Sequence, residues 1–333
     1  MILGGSDLLR DEGRAYARRL ASEGADIAIC DLTRIDQAGD GEAEAGVAEP
    51  ADQLANAIGA EVRGIDLSRP LADAEVRALK DAWHAHLVLL FRGQRLSPEQ
   101  HIAFSRHFGD LDRHEALPRY RHPDHAEIFM ITNHEIDGKP SATRNTGRQW
   151  HNDMSYTLRP ATGSLLYCRE CPPVGGDTMF TNMYRAYETL SPTLQRFLDP
   201  LWAVHDIMGS HDLRKRDPAQ IAELRRINPP VAQPVVRVHP ETGRKALNVH
   251  EMMVTHFVGM TRAESRPLLE FLFEHSVPHE NVYRHRWQVD DLLMWDNRCT
   301  LHIALADYEH TSPRHMLRTT LLGEPTGRAI AED

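Results

Sequence analysis

A mainly β fold with inserted helices, of the β-sandwich or jelly-roll type, is what the sequence predicts. From residue 128 to residue 322, short apolar runs alternate with turn signals, as they do in sandwiches and barrels. A few stretches with helical spacing interrupt these runs, but regular βαβ units do not follow one another, so a parallel α/β sheet is not predicted. The predicted strands are residues 58–67, 87–91, 128–131, 164–168, 178–181, 235–238, 247–249, 292–295 and 317–322.

The first elements have clear local signals. Residues 58–67 alternate between apolar and polar side chains, which is typical of a half-buried strand, and residues 87–91 form a short apolar run. Between them, apolar residues at helical spacing predict a helix over residues 73–86. Ser97 is a good N-cap and Pro98 a good first helical residue, so a second helix should begin there. Further helices are predicted at residues 183–190, 191–197, 218–226 and 261–275.

The composition indicates an ordinary globular protein and excludes several classes. The chain has 333 residues, of which 41% are hydrophobic and 26% charged. No apolar run approaches the ~20 residues that span a bilayer, and the N-terminus lacks a secretory pattern, so we expect a cytoplasmic protein without membrane partners. A net charge of -10 argues against a nucleic-acid partner. Cys168 and Cys171 have metal-like spacing, but without a second ligand pair we interpret them as reduced thiols.

The N-terminus differs from the rest of the chain. Residues 13–21 predict a helix and residues 24–32 a strand, and together they resemble the start of a short-chain dehydrogenase, with Asp31 at the ribose position. The glycine spacing and the remaining parallel sheet of that family are missing, so we expect no dinucleotide there. We therefore predict four segments: an appended α/β fragment (1–32), an acidic linker (33–50), the main domain (51–327) and a tail (328–333).

His151, Asp153 and His302 are the strongest candidates for a chemical site. His151 and Asp153 form an H-x-D, and residues i and i+2 of an extended strand point to the same face. His302 follows Trp-Asp-Asn-Arg, and two histidines with one carboxylate are the ligand set of non-haem Fe(II) sites with open positions. Because the chain has twenty histidines, only this context distinguishes these two.

The motifs occur in an order that resembles the taurine dioxygenase/2,4-dichlorophenoxyacetate dioxygenase (TauD/TfdA) family over about residues 54–325. The resemblance implies a double-stranded β-helix (jelly roll) and an enzyme that uses Fe(II) with 2-oxoglutarate and O2 as co-substrates. The family usually has threonine where this chain has Asn152, a position that should point away from the metal. The motifs are 59–67, 91–94, Phe108-Gly109, 150–153, 175–178, 295–298 with His302, and 314–318.

The resemblance also implies a role for individual residues. His151, Asp153 and His302 are the expected metal ligands, with no catalytic residue beyond them. Thr178 and Arg314 match the 2-oxoglutarate positions, where a guanidinium can pair bidentately with a carboxylate. The expected substrate-binding residues are Arg318, His114, Met154 and Tyr156.

The implied reaction is hydroxylation of a small anionic organic substrate, with release of succinate and CO2. A sulfonate such as taurine or an alkylsulfonate is the first expectation, and an aryloxyalkanoate is the alternative within the family. The carboxylate of Asp153 favours hydroxylation over halogenation, because related halogenases lack it. Two other classes remain open: a non-redox metal-binding jelly-roll protein, which leaves Thr178 and Arg314 without a joint role, and a dehydrogenase built on residues 1–32. The family is often dimeric or tetrameric, so a homo-oligomer is expected.

Overall fold

The computed structural model describes residues 58–330, apart from 116–119, 137, 142, 144–145, 211–212, 214–216 and 310, together with the backbone of residues 28–31. The strands in this part of the chain are β1 Ala28–Asp31, β2 Ala60–Arg63, β3 Val88–Phe91, β4 Phe129–Thr132, β5 Glu135–Ile136, β6 Lys139–Pro140, β7 Gly163–Glu170, β8 Thr178–Asn182, β9 Trp202–His205, β10 Val231–Pro234, β11 Val236–Val238, β12 Lys245–Leu247, β13 Val254–Phe257, β14 Val282–His285, β15 Leu292–Asp296, β16 Thr300–Ala304, β17 His315–Leu321 and β18 Arg328–Ala329.

Most of these strands belong to three sheets. The largest has seven strands in the order β1-β2-β3-β15-β7-β17-β4, in which only the β2–β3 pair is parallel. A three-stranded sheet has the order β14-β8-β16, and a four-stranded sheet has the order β13-β9-β10-β18. The non-sequential order within each sheet means that segments distant in sequence lie side by side, which positions the candidate site.

The helices begin where the sequence provides caps. Ser97 accepts the N–H of Gln100 and Thr261 accepts that of Glu264, each in a capping box. Asn182 caps the short helix that follows β8. The α-helices are α1 Asp73–His86, α2 Pro98–Arg106, α3 Met183–Glu188, α4 Pro192–Leu198, α5 Pro218–Ile227 and α6 Arg262–His275. None of them is long and apolar enough to cross a membrane, within the residues that the structure describes.

The seven-stranded sheet is buried on both faces. One apolar cluster, which includes Trp83 and Phe104, packs α1 and α2 against residues of β3, β7 and β15. A second cluster lies on the opposite face and joins Leu166 and Trp295 of this sheet to Phe180 of β8. The candidate site lies at this second face, because Trp295 and Phe180 both contact the ring of His302.

The predicted mainly β class with inserted helices is confirmed, and the helices predicted at 73–86, 218–226 and 261–275 lie within two residues of those observed. The strand predicted at 247–249 is wrong, since β12 ends at Leu247. The strand that carries His302 was missed. Strand β1 lies within predicted residues 24–32 and pairs with β2. The predicted helix at 13–21 and the linker at 33–50 lie outside the described residues, and the division into four segments stays a prediction.

Candidate functional site

Main-chain hydrogen bonds bring His151 and His302 together. The N–H of His151 donates to the carbonyl of His302 at 3.0 Å, and the N–H of His302 donates back at 2.8 Å. Strand β16 also pairs with β8, which places His302 opposite Phe180. The two imidazole rings lie 4.1 Å apart, centroid to centroid. Two distant segments are therefore held side by side by the backbone.

Asp153 completes a buried cluster. Its Oδ1 lies 3.9 Å from His151 Nε2, and one ligand atom from each of the three residues lies within 4.8 Å of the other two. Protein ligands bind a transition metal at about 2.0–2.2 Å, so atoms bound to one ion lie about 3–4 Å apart. Only a small contraction is needed for His151, Asp153 and His302 to bind one cation.

The prediction that His151 and Asp153 share one face of an extended strand is wrong. His151 forms a single β-bridge, and Asp153 begins a turn. Asp153 reaches the histidines because the side chain of Asn297 accepts its backbone N–H at 3.1 Å. Asn152 points away from the cluster, as predicted, since its amide donates to Asn248.

The protonation states of the cluster suit a divalent cation. Burial raises the pKa of Asp153, but the Arg318 guanidinium and the other neighbours outweigh burial and hold that pKa well below its usual range. Burial lowers the pKa of His151, and it lowers the pKa of His302 more strongly. Near neutral pH the cluster is thus one carboxylate with two neutral imidazoles, the deprotonated states that metal binding requires.

The ring nitrogens also fit a metal. His151 Nδ1 lies 2.8 Å from the carbonyl oxygen of Gln149 and must carry the hydrogen, so the lone pair is on Nε2, which faces Asp153. Such a carbonyl partner is typical of metal-binding histidines. His302 Nδ1 is buried and has no hydrogen-bond partner among the described residues. Neutral imidazoles and one carboxylate fit non-haem Fe(II).

Thr178 and Arg314 lie near the same strands. Thr178 is two residues before Phe180 on β8, about 7 Å along the strand that pairs with His302. Arg314 Nε donates to the carbonyl of Gly176 at 3.4 Å, so its guanidinium lies at the turn that precedes Thr178. Gly175 and Gly176 have φ values of 78° and 73°, in the left-handed region that favours glycine.

Arg314 is a buried cation without a carboxylate partner among the described residues. Burial lowers the pKa of this guanidinium. A buried charge is costly unless an anion accompanies it. Thr178, two residues after Gly176, contributes a buried hydroxyl that accepts a hydrogen bond from Trp287 Nε1 at 3.0 Å. Together these groups can bind a carboxylate.

Arg318 and His114 meet on Phe129, close to the cluster. Arg318 Nη1 donates to Asp153 Oδ1 at 2.8 Å, and its guanidinium lies 5.3 Å from the centroid of the Phe129 ring. The His114 ring lies 5.1 Å from the same ring. His114 Nε2 is buried and has no partner in the described part of the chain, while Nδ1 lies 3.0 Å from Asp112 Oδ2. Arg318 Nε can therefore donate to an anion beside the metal cluster, and His114 Nε2 can do so when its ring carries a second hydrogen.

Met154 and Tyr156 occupy the turn after Asp153. Met154 has a φ of 58°, which is rare for a residue with a side chain and is common at functional sites. Tyr156 is half-buried, and burial raises the pKa of its phenol to about 12, so the hydroxyl stays protonated. Arg318 and Asp153 also act on that pKa, which places the phenol near both of them.

Three residues that hold the site were not predicted as functional. Asp112 binds His114, Ser164 binds Asp153 Oδ2 at 2.6 Å, and Asn297 binds the Asp153 backbone. Only Asn297 had a signal, since it stands in the Trp-Asp-Asn-Arg motif. Cys168 and Cys171 are free thiols, in agreement with the prediction.

A second group with metal-ligating residue types is His239, Asp296 and Cys299. The Asp296 carboxylate already accepts from Arg298 Nη2 at 2.6 Å and lies 3.0 Å from His239 Nε2. Burial raises the pKa of the Cys299 thiol well above its usual value, so it stays protonated near neutral pH. This group is an internal ion pair that anchors the end of β15.

Comparison with known proteins gives consistent matches over the described domain. A family model for "Taurine catabolism dioxygenase TauD, TfdA family" matches residues 50–320. The chain is 38% identical to an alpha-ketoglutarate-dependent 2,4-dichlorophenoxyacetate dioxygenase of Cupriavidus pinatubonensis, over 84% of this chain and 98% of the relative. It is 34% identical to an alpha-ketoglutarate-dependent sulfate ester dioxygenase of Pseudomonas putida, over 82% of this chain and 90% of the relative. The crystal structure of a taurine dioxygenase from Burkholderia xenovorans superposes with a TM-score of 0.67 at 34% identity, covering 83% of this chain and 92% of that one.

Proposed function

Since the chain belongs to the TauD/TfdA family and is an Fe(II)- and 2-oxoglutarate-dependent dioxygenase, we propose that His151, Asp153 and His302 hold its iron and that it hydroxylates a small organic anion. The supporting observation is the pairing of Arg318 with Asp153 at 2.8 Å, because a guanidinium directly beside the proposed ligands can also attract an anionic substrate. The seven- and three-stranded sheets that flank the cluster fit the expected double-stranded β-helix.

When bound, iron and 2-oxoglutarate supply the oxidising chemistry. In the overall reaction O2 is consumed, 2-oxoglutarate becomes succinate and CO2, and one oxygen atom is added to a substrate carbon. The protein binds and orients the reactants. Arg314 pairs with the distal carboxylate of 2-oxoglutarate, and Thr178 donates its hydroxyl hydrogen to the same group. These two roles account for the burial of Arg314, which has no carboxylate partner within the residues that the structure describes.

The substrate anion binds between Arg318 and His114. Phe129 lies under both groups and excludes water from one side of the anion, while Met154 and Tyr156 border it from the turn after Asp153. A desolvated ion pair is stronger than an exposed one. An anion bound there would hold the substrate beside His151, Asp153 and His302, the residues that would hold the iron.

Two substrate classes fit this arrangement. An aryloxyalkanoate is favoured by the apolar ring of Phe129 and by the relative that acts on 2,4-dichlorophenoxyacetate. A sulfonate or sulfate ester, the first expectation from the sequence, has the same kind of anionic end and is favoured by the sulfate ester and taurine relatives. When the attacked carbon carries an ether or ester oxygen, the hydroxylated product breaks into a carbonyl compound and a phenol or sulfate.

The test is stimulation of 2-oxoglutarate turnover. Succinate would be measured with Fe(II), O2 and each of four substrates: taurine, an alkylsulfonate, an alkyl sulfate and a phenoxyacetate. We expect at least one anion to increase succinate release well above the uncoupled rate. No metal-dependent succinate with any anion would favour the non-redox metal-binding alternative and contradict the proposal.

Asp112 should control how His114 binds the substrate. A carboxylate only accepts hydrogen bonds, so His114 Nδ1–H donates to Asp112, whose other oxygen accepts the His114 backbone N–H at 3.2 Å. Nε2 can then donate to a substrate anion only when the ring carries a second hydrogen, and the Asp112 carboxylate stabilises the resulting positive charge. We expect Asp112→Asn to raise the KM for the organic anion by about 10-fold, the lower end of such supporting contacts. The KM for 2-oxoglutarate should not change. Asp110→Asn, an exposed position on the same loop, is the control, and an equal effect there would contradict the role of Asp112.

A further inference from the structure

A closed set of hydrogen bonds surrounds Asp153. Ser164 Oγ donates to Asp153 Oδ2 at 2.6 Å, and Asn297 Nδ2 donates to Ser164 Oγ at 3.0 Å. Asn297 Oδ1 accepts the backbone N–H of Asp153 at 3.1 Å. Ser164 and Asn297 therefore hold both the carboxylate and the main chain of Asp153.

The donors and acceptors in this network admit one arrangement. Asn297 Oδ1 also accepts Trp295 Nε1–H at 3.0 Å, so the amide oxygen faces two N–H donors and the NH2 group must face Ser164. Ser164 receives that hydrogen and must give its own to Asp153. Ser164, Asn297 and Trp295 are all fully buried, so water does not compete for these bonds. The Trp295 ring also lies 4.8 Å from that of His302, which connects the network to a second candidate ligand.

The network makes the two oxygens of Asp153 unequal. Oδ2 is engaged by Ser164, whereas Oδ1 lies 3.9 Å from His151 Nε2. Arg318 also donates to Oδ1, but a carboxylate oxygen has a further lone pair for a cation. If both oxygens bound iron, one of the positions needed by 2-oxoglutarate and O2 would be lost.

We propose that Ser164 and Asn297 are positioning residues that present Asp153 to the metal through Oδ1 alone. The proposal rests on the metal role of Asp153 proposed above, and it extends that role to two residues that do not touch the ion. Removing the Ser164 hydroxyl frees Oδ2 to rotate and leaves Asn297 Nδ2 without an acceptor. The cation then has to order the carboxylate itself, which weakens its binding.

Binding of Mn(II) to the metal-free protein tests this without any turnover. The free Mn(II) signal in electron paramagnetic resonance gives the Kd directly. We expect Ser164→Ala to raise the Kd by about 10- to 100-fold, the usual effect of losing a partner of a metal ligand. Asn297→Ala should act in the same direction, and the double variant should be little weaker than either single one, because both residues act through one carboxylate.

Ser105→Ala is the matched control. Ser105 is a buried serine on α2 whose hydroxyl lies 2.7 Å from both the His101 carbonyl oxygen and Thr319 Oγ1, across the sheet from the cluster. Urea unfolding of the metal-free proteins should show comparable losses of stability for Ser105→Ala and Ser164→Ala, whereas only Ser164→Ala should lose Mn(II) affinity.

Several outcomes would overturn the proposal. An unchanged Kd for Ser164→Ala, an equal loss for Ser105→Ala, or multiplied losses in the double variant would each show that the two residues do not position Asp153 together. Failure of the wild-type protein to bind Mn(II) would refute both this proposal and the assigned metal site. A wild type that binds Mn(II) with the expected variant pattern, yet releases no succinate with any anion, would refute only the proposed reaction.

Discussion

Replacing His151 with alanine should abolish the release of succinate from 2-oxoglutarate. The substitution removes one of three proposed ligands, whose Nδ1 is bound to the Gln149 carbonyl and whose Nε2 faces Asp153. Metal catalysis contributes several kcal/mol, and each ~1.4 kcal/mol is tenfold in rate, so we expect a loss of at least about 10³-fold. Succinate would be quantified under O2 with saturating Fe(II), 2-oxoglutarate and the best substrate.

Thermal unfolding provides a second readout for the same variant. Mn(II) at about 100 times its Kd should stabilise the wild-type protein by about 2.7 kcal/mol, because it binds only the folded state. His151→Ala should show no such increase in Tm. The control is His101→Gln, which removes another buried imidazole, on α2, that lies 3.3 Å from Thr319 Oγ1. It should lower stability but keep turnover and the response to Mn(II), and normal turnover by His151→Ala would disprove the assigned site.

The three candidate ligands could be found from sequence, but the reason for their convergence could not. Residue types and the two-residue spacing identify His151 and Asp153. Their actual placement depends on partners far along the chain, since Asn297 is 144 residues from Asp153 and His302 supplies the β-bridge to His151. A hydrogen bond between such distant residues has no local signature, so a turn was mistaken for a strand.

The same limitation explains the missed strand β16. Residues Thr300–Ala304 are only partly apolar, and a histidine stands at their centre. They are extended because they pair with Met179 and its neighbours on β8, and with His151 on the other side. Helices α1 and α6 were predictable because their periodicity and, in α6, the capping box lie within the segment itself.

The residues that support the site, such as Ser164 and Asp112, also could not be identified from local sequence. Ser164 had been assigned only to a strand, and its importance depends on its position facing Asp153 across 11 residues of chain. Asp112 had no signal at all beyond its closeness to His114. Arg314 and Arg318 stand in one short motif, but the structure gives them different partners, the Gly176 carbonyl and the Asp153 carboxylate. Their separate roles stay predictions that variants can test.

Replacing Arg314 with glutamine should weaken 2-oxoglutarate binding while leaving the free protein at least as stable. The buried guanidinium has no carboxylate partner among the described residues, and burial lowers its pKa, so its charge costs free energy in the free protein. Truncating one partner of a buried charge pair costs about 2–5 kcal/mol, so we expect the KM for 2-oxoglutarate to rise by about 30-fold or more. The KM would come from succinate assays, and the free energy of unfolding from urea titration without ligand.

Arg237→Gln is the matched control for this trade between stability and binding. Arg237 is another buried arginine, and its Nε and Nη2 have no partner among the described residues, but it lies on β11, outside the region of Thr178. If burial of a guanidinium were the whole effect, both variants would change stability and neither would change the KM. We expect the KM for 2-oxoglutarate to rise only in Arg314→Gln, and to recover partly in Arg314→Lys, because lysine restores the charge but not the bidentate pairing. This pattern would establish that the cost of burying Arg314 is offset only when 2-oxoglutarate supplies the anion. Equal KM values for 2-oxoglutarate in the wild type, Arg314→Gln and Arg237→Gln would place the 2-oxoglutarate carboxylate elsewhere.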